Sequence, residues 1–159
     1  VAVSCSKNFG LYRERTGCLH VISESAASGD AILSHLVRIA RGIYSMPPDH
    51  GAAIVQEILS DPTRREQWIE ELTVMRKRIT GLRHELVKRL ARSCPQRDFG
   101  FIAAQRGMFS FLGVDTPQVR ALREQHHVYM TDDSRINIAG LCADNVEYFA
   151  QAVAQVLRN

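Results

Sequence analysis

Apolar residues recur along this chain at two different spacings, and the changes between them divide it into elements. From Cys18 to Ile22 the alternation suits a strand. From Ser28 to Ile43, the residues Ile32, Leu33, Leu36, Ile39 and Ala40 return at helical spacing. Tyr44-Ser45-Met46-Pro47-Pro48 must end that helix, because two prolines remove backbone donors and push the preceding residue towards extended geometry. A second helix is predicted over His50 to Leu59. Asp61-Pro62 then supplies a side-chain acceptor at the cap and a proline at the first helical position, opening a long helix to about Arg92. Ile69, Leu72, Met75, Ile79, Leu82, Leu86 and Leu90 form one apolar stripe on this otherwise charged rod. Gly81 inside it costs about 1 kcal/mol relative to alanine, tolerable in a helix of this length. After Cys94-Pro95 the pattern shortens. Met108 to Leu112, Val128 to Met130 and Arg135 to Ile138 are predicted strands, Pro117 to His126 a helix, and Asp144 to Leu157 a closing amphipathic helix. The order predicts an α/β arrangement in which a long helix leads into a small mixed domain.

Composition narrows the function classes. The net charge of +3 is small for 159 residues, and no basic run is interleaved with aromatics, so nucleic acid is not an expected partner. No apolar run approaches the roughly 18 residues needed to span a bilayer, and the first residues lack a charged segment followed by an apolar one. A soluble, unsecreted chain without membrane contact is expected. The arginine-rich face of the long helix also carries Glu66, Glu70, Glu71 and Glu85, which reads as a solvated face. Cys5, Cys18, Cys94 and Cys142 are spread without a CxxC pair, and the six histidines show no ligand spacing, so reduced thiols and no metal site are expected. The sequence opens on Val1-Ala2-Val3-Ser4 with its richest motif close behind, and reads as a piece of something larger.

Four constellations carry chemistry. Ser4, Ser6, Lys7, Tyr12 and Arg15 gather hydroxyls, an amine and a guanidinium around Gly10. Hydroxyls and a guanidinium fork suit phosphate oxygens, and a lysine in a dry pocket or beside another cation can form a Schiff base. On spacing alone, a polar surface turn explains the same residues. Arg41, ahead of Pro47-Pro48, reads by itself as a cap for the last carbonyls of its helix. Arg106-Gly107-Met108-Phe109-Ser110-Phe111 reads as a packed strand. In Asp133-Ser134-Arg135-Ile136-Asn137, an arginine enters an apolar strand, where a guanidinium needs an anion, either an external one or a carboxylate such as Asp132 or Asp133.

The run SxSKNFGLYxERxG, from Ser4 to Gly17, resembles the lysine motif of class I pyridoxal-phosphate (PLP) dependent aminotransferases, in the aspartate and aromatic amino acid branch. Arg41 to Ala52 resembles that family's RxxYSxPPxxGA segment, Gly107 to Phe111 its GMFSF strand, and Ser134 to Gly140 its SRINxAG motif. The resemblance implies PLP as cofactor, with Lys7 forming the Schiff base and then moving a proton between the substrate α-carbon and the cofactor. It implies Ser4, Ser6 and Arg15 as the phosphate cradle, with Tyr12 supporting the pocket. Arg135 would grip the substrate α-carboxylate, Phe109 would pack beside the substrate, and Arg41 would meet the distal carboxylate of a dicarboxylic substrate in the partner subunit of a homodimer. Met46 stands where aspartate-specific enzymes often have asparagine, which leans towards a broader or aromatic specificity, with 2-oxoglutarate as the second substrate.

The fold implied is the C-terminal portion of a fold-type I PLP-dependent transferase, cytoplasmic. Residues 1–60 would end the large domain, and residues 61–159 would form the long interdomain helix and the small domain. The absent portion would supply the aspartate that pairs with the pyridine nitrogen, so the chain alone is expected to be inactive. Three rival readings stand beside this one: a lyase or decarboxylase of the same fold, disfavoured by the two carboxylate anchors Arg41 and Arg135; a strictly aspartate-specific aminotransferase; and a non-catalytic piece serving folding or dimerisation.

Overall fold

A computed structural model describes residues Val1 to Arg158, which divide into two compact units, Val1–Leu72 and the residues from Thr73 onward. In the first unit, β1 (Ala2–Ser4) pairs antiparallel with β2 (Gly17–Leu19), Ala2 opposite Leu19 and Ser4 opposite Gly17. β1 is too short to show a period in the sequence. β2 stops at Leu19 rather than Ile22, and beyond the His20 amide, which donates to Val1 O at 2.8 Å, Val21 and Ile22 stand exposed.

Helix α1 (Ala26–Tyr44) starts two residues before the predicted Ser28, because the Ser25 hydroxyl caps it by accepting from Ser28 N at 3.2 Å. It ends where Ser45 turns to φ 64° and donates to Arg41 O at 3.0 Å, ahead of Pro47-Pro48. α2 (His50–Ser60) and α3 (Pro62–Ser93) follow, and Asp61 Oδ1 caps α3 by accepting from Arg64 N at 2.9 Å. α2 approaches the β1–β2 loop closely. A Cβ on Gly51 would strike Thr16 Oγ1 and lie 2.7 Å from Glu14 Cβ, so only glycine fits there. Little else in this unit is buried: α1 has no buried residue, and its Leu33, Val37, Ile39 and Ile43 are exposed.

The second unit holds the apolar core. Leu86 and Leu90 of α3 are fully buried against Ile102 of α4 (Phe101–Ala104), Leu122 of α5 (Thr116–His126) and Val153 of α6 (Val146–Val156). The α3 stripe is therefore used unevenly, since Ile69 and Met75 remain exposed. Arg89 ties α3 to α6 by pairing with Glu85 at 2.7 Å and with Glu147. β3 (Phe109–Phe111) and β4 (Arg135–Asn137) pair antiparallel, Phe111 opposite Arg135 and Phe109 opposite Asn137. A reciprocal capping box between Asp115 and Gln118 opens α5.

Three expectations are corrected here, and one element is added. Val128 to Met130 is not a strand: Val128 N folds back onto Leu122 O at 3.0 Å and Met130 O accepts from Arg123, so neither joins a ladder. Ile138 belongs to a 3-10 turn (Ile138–Gly140) rather than to β4. α6 begins at Val146 rather than Asp144, after Asn145 Oδ1 has accepted from Cys142 N at 2.7 Å. The four-residue α4 was not expected, being shorter than any readable period.

Two substitutions test this division of labour. Leu90→Ala should cost about 2–5 kcal/mol by opening a cavity in the core. Gly81→Ala should gain about 0.5–1 kcal/mol, because a Cβ there meets nothing within 4 Å and the helix loses a flexible residue. Urea denaturation of this chain checks both. A neutral Leu90→Ala or a destabilising Gly81→Ala would contradict the packing described.

Candidate functional site

Lys7 lies in the loop that joins β1 to β2. The ladder continues one step past the strands, with Cys5 N donating to Thr16 O at 2.9 Å, and this closes the neck of the loop. Within it, Phe9 N and Leu11 N both donate to Cys5 O at 3.3 Å, and Gly10 takes φ 69°, so the chain doubles back after Lys7. The two serines meet: the Ser4 hydroxyl donates to Ser6 Oγ at 3.0 Å and accepts from Ser6 N at 3.2 Å. The exposed Lys7 amine stands 5.5 Å from the centre of the Tyr12 ring. Arg15 adopts φ 53° and donates through Nη1 to Tyr12 O at 3.0 Å. The end of β1 and the loop after it thus hold all five residues of the first motif, with Ser4 against Ser6 and Tyr12 between Lys7 and Arg15.

The loop is fastened from behind. The Phe9 ring stacks on Trp68 of α3 at 4.6 Å and 15°, and the Trp68 indole donates to Asn8 O at 2.8 Å. Glu14 meets His50 Nδ1 at 3.1 Å. The residue after Lys7 is therefore held at its backbone, while the Lys7 side chain makes no ion pair among the described residues. Trp68 carries no mark of this role in the sequence except that it is the chain's one tryptophan.

Arg41 occupies the last turn of α1, followed by an exposed stretch from Gly42 to His50. Its side chain makes no hydrogen bond or ion pair among the described residues, so the expected side-chain cap is not what it does. Its carbonyl, not its guanidinium, meets Ser45.

Phe109 and Arg135 share the exposed face of the β3–β4 ribbon, with Ser110 and Ile136 buried on the other face. The Arg135 guanidinium lies over the Phe109 ring, 5.2 Å from its centre. Neither carboxylate proposed as its internal partner takes it. Asp132 pairs with Arg123 at 3.0 Å, and Asp133 accepts the Arg135 backbone amide at 3.2 Å together with the Thr131 hydroxyl. Those two donors, the Thr131 hydroxyl first, hold the Asp133 carboxyl below the usual carboxylate range. Ser134, buried at φ 64°, fixes the turn before Arg135 by accepting from Gly113 N at 3.1 Å through its hydroxyl. Arg135 is thus presented as an exposed cation on an aromatic platform, near the Asp133 charge but in no direct ion pair among the described residues.

Arg83 departs from the expectation of a solvated α3 face. It is 3 % exposed and donates to Ile102 O, Gly107 O, Phe109 O and the Ser110 hydroxyl, with no carboxylate among its partners. Burial pushes its pKa down. A readable signal existed: Ile79, Arg83, Leu86 and Leu90 follow helical spacing, which sets this arginine on the apolar stripe.

Among the described residues, no group of three or more His, Cys, Asp or Glu side chains is placed to hold a metal ion, and no helix is long and apolar enough to cross a membrane. The family model described as aminotransferase class I and II matches residues 1–153. A tyrosine aminotransferase of Rhizobium meliloti is 52 % identical over 141 residues, which are 89 % of this chain and 36 % of that protein. An aspartate aminotransferase of Haemophilus influenzae is 41 % identical over 157 residues, 99 % of this chain and 40 % of the relative. The crystal structure of an aromatic-amino-acid aminotransferase of Burkholderia pseudomallei, covalently bound to pyridoxal phosphate, superposes with a TM-score of 0.89 at 45 % identity, over 99 % of this chain and 39 % of that one. The chain thus spans about two-fifths of the length of the relatives it matches. Its β3–β4 ribbon, long helix and hairpin are those of a fold-type I transferase.

The Asp133 contacts carry a pH consequence. A depressed carboxyl adds stability that is present above its unfolded pKa, about 3.9, and is lost as pH falls through the lower folded value. Thr131→Val should raise the Asp133 midpoint towards the ordinary range, read by NMR titration of the side-chain carboxyl. An unmoved midpoint would show that the hydroxyl is not its main cause.

Proposed function

The chain belongs to the class I and II aminotransferase family, and on that footing we propose that its parent protein is a PLP-dependent enzyme moving an amino group from an aromatic amino acid or aspartate to 2-oxoglutarate. The observation that carries this reading is a pair of cations that make no ion pair among the described residues. Lys7 and Arg135 are both exposed, each rests against an aromatic ring, and neither has a carboxylate partner among the described residues.

The donor set of the Lys7 loop suits the cofactor: two adjoining serine hydroxyls, a guanidinium with spare N–H groups and a primary amine, with no acidic side chain paired to any of them among the described residues. Ser4, Ser6 and Arg15 would hold the phosphate by charge-assisted hydrogen bonds. Tyr12 would back the pocket, and the Lys7 amine would tether the cofactor aldehyde. When bound, the cofactor supplies an electron-withdrawing ring that acidifies the hydrogen on the amino acid's α-carbon. The free Lys7 amine would be the general base that takes that proton at the substrate α-carbon, and its conjugate acid would hold the proton for return. Arg135 orients the substrate through a bidentate pair with its α-carboxylate, and Phe109 packs along the substrate side chain. Arg41, which makes no side-chain hydrogen bond or ion pair among the described residues, would meet the distal carboxylate of a dicarboxylic substrate in a partner subunit of a homodimer. The exposed apolar residues of α1, among them Leu33, Val37 and Ile39, support a covering surface of that kind. Residues 1–60 would then complete the large domain and residues 61–159 the long helix and small domain of a cytoplasmic enzyme.

Met46 stands where aspartate-specific enzymes often have asparagine, and the tyrosine aminotransferase named above is more similar than the aspartate aminotransferase, which together favour a broader or aromatic specificity. Strict aspartate specificity is the competing reading.

Incubation of this chain with PLP, borohydride reduction and peptide mapping by mass spectrometry should find the label on Lys7 and lose it in Lys7→Ala. Scattered labelling would count against a cofactor loop in this chain. In the full-length protein, kcat/KM for phenylalanine should match or exceed that for aspartate, and Arg135→Lys should lower both by about 10²-fold, the cost of a lost bidentate pair. Activity with aspartate alone would select the competing reading.

A further inference from the structure

β3 has a paired edge and an edge that β4 does not reach. Met108 O accepts from Ile138 N at 2.8 Å on the β4 side. Because carbonyls alternate along a strand, Gly107 O and Phe109 O point the opposite way. Arg83 Nη2 donates to both, at 2.7 Å and 2.8 Å, while Nη1 takes Ile102 O at 3.0 Å and the buried Ser110 hydroxyl. A single guanidinium fork therefore does for β3 what a third strand would do. Two-stranded ribbons are marginal alone, and a slip of one residue would turn Phe109 to the buried face and Ser110 outward. Ser110 is the small residue that leaves room for the fork beneath the ribbon. Nothing in core packing calls for a cation here, since an apolar side chain at this stripe position would avoid the cost of burying charge.

We propose that Arg83 is a positioning residue for substrate recognition, fixing β3 so that the Phe109 ring carries the Arg135 guanidinium in the orientation that grips a carboxylate. The inference rests on the reading of Arg135 given above and adds a residue that touches no substrate. Its chain of action is short: guanidinium to Phe109 backbone, Phe109 ring to Arg135, Arg135 to carboxylate. Lysine cannot replace arginine in it, because a point charge on one flexible stem does not span four acceptors held in a plane.

The test uses the full-length protein loaded with PLP and 3-phenylpropionate, a carboxylate with no amino group to react, as the binding probe. Arg83→Lys should weaken the Kd of 3-phenylpropionate and raise the KM of phenylalanine about 10-fold, with kcat changed less than about 2-fold and Lys7 labelling unaltered. If Arg83 acts through Phe109, the double variant Arg83→Lys/Phe109→Ala should bind no worse than Phe109→Ala alone. An unchanged Kd, or effects that multiply in the double variant, overturns the proposal. Should Arg83→Lys fail to fold, Ser110→Ala removes one acceptor and keeps the cation; it should weaken the Kd about 3-fold, and no change there overturns the proposal equally. Arg135→Lys is the control for the underlying reading. If it binds 3-phenylpropionate as the parent does while still being labelled at Lys7, Arg135 is not the carboxylate anchor, and the role assigned to Arg83 falls with it.

Discussion

Placing a guanidinium out of water costs several kcal/mol unless every donor finds an acceptor, and a carboxylate is the usual remedy. Arg83 is buried without one and draws its compensation from backbone carbonyls and one hydroxyl. That choice has a structural meaning. A carboxylate partner would satisfy the charge and leave the neighbouring backbone free, whereas neutral acceptors spread along residues 102–110 make the cation the organiser of that whole segment. α4, the turn at Gly107 and β3 are all short, and none has enough internal hydrogen bonds to persist alone. They converge on one side chain of a long helix, which in turn is anchored in the core by Leu86 and Leu90.

The first unit solves a related problem by stacking instead of charge. The loop that carries Lys7 is exposed and rich in polar residues, yet its backbone is fixed where Asn8 receives the Trp68 indole and Phe9 lies on the same ring. Rigid backbone with a free side chain is what a covalent tether requires, because the amine must reach a reacting carbon without dragging the loop along. Gly51 contributes from the other side, allowing α2 to press against Thr16 and Glu14.

Much of this arrangement is legible in the sequence, and the unreadable parts share a cause. Long elements declare themselves: α1, α2 and α3 follow from the spacing of Ile32, Leu36 and Leu86 and from the signals at Pro47-Pro48 and Asp61-Pro62. The grouping of Ser4, Ser6, Lys7, Tyr12 and Arg15 is readable because one hairpin of the chain contains them. β1, α4 and the irregular path at Val128 to Met130 are not readable, since each is shorter than a period and is set by contacts outside the segment itself. Arg83 was hidden by its company. On a helix rich in arginine and glutamate its charge points to the solvated face, although its spacing from Ile79 and Leu86 sets it on the buried one.

α3 is one uninterrupted helix whose apolar stripe is buried at Leu86 and Leu90 but exposed at Ile69 and Met75. Its hydrogen-bond ladder is continuous, but the free energy needed to open each amide is not, because opening is set by the packing that must be undone with it. Deuterium would therefore enter the helix as a gradient, exchanging by local fraying before Thr73 and only with loss of the whole core near Leu90. A single element of secondary structure thus runs through both compact units, and helicity measured for the chain as a whole would average over residues of unequal protection.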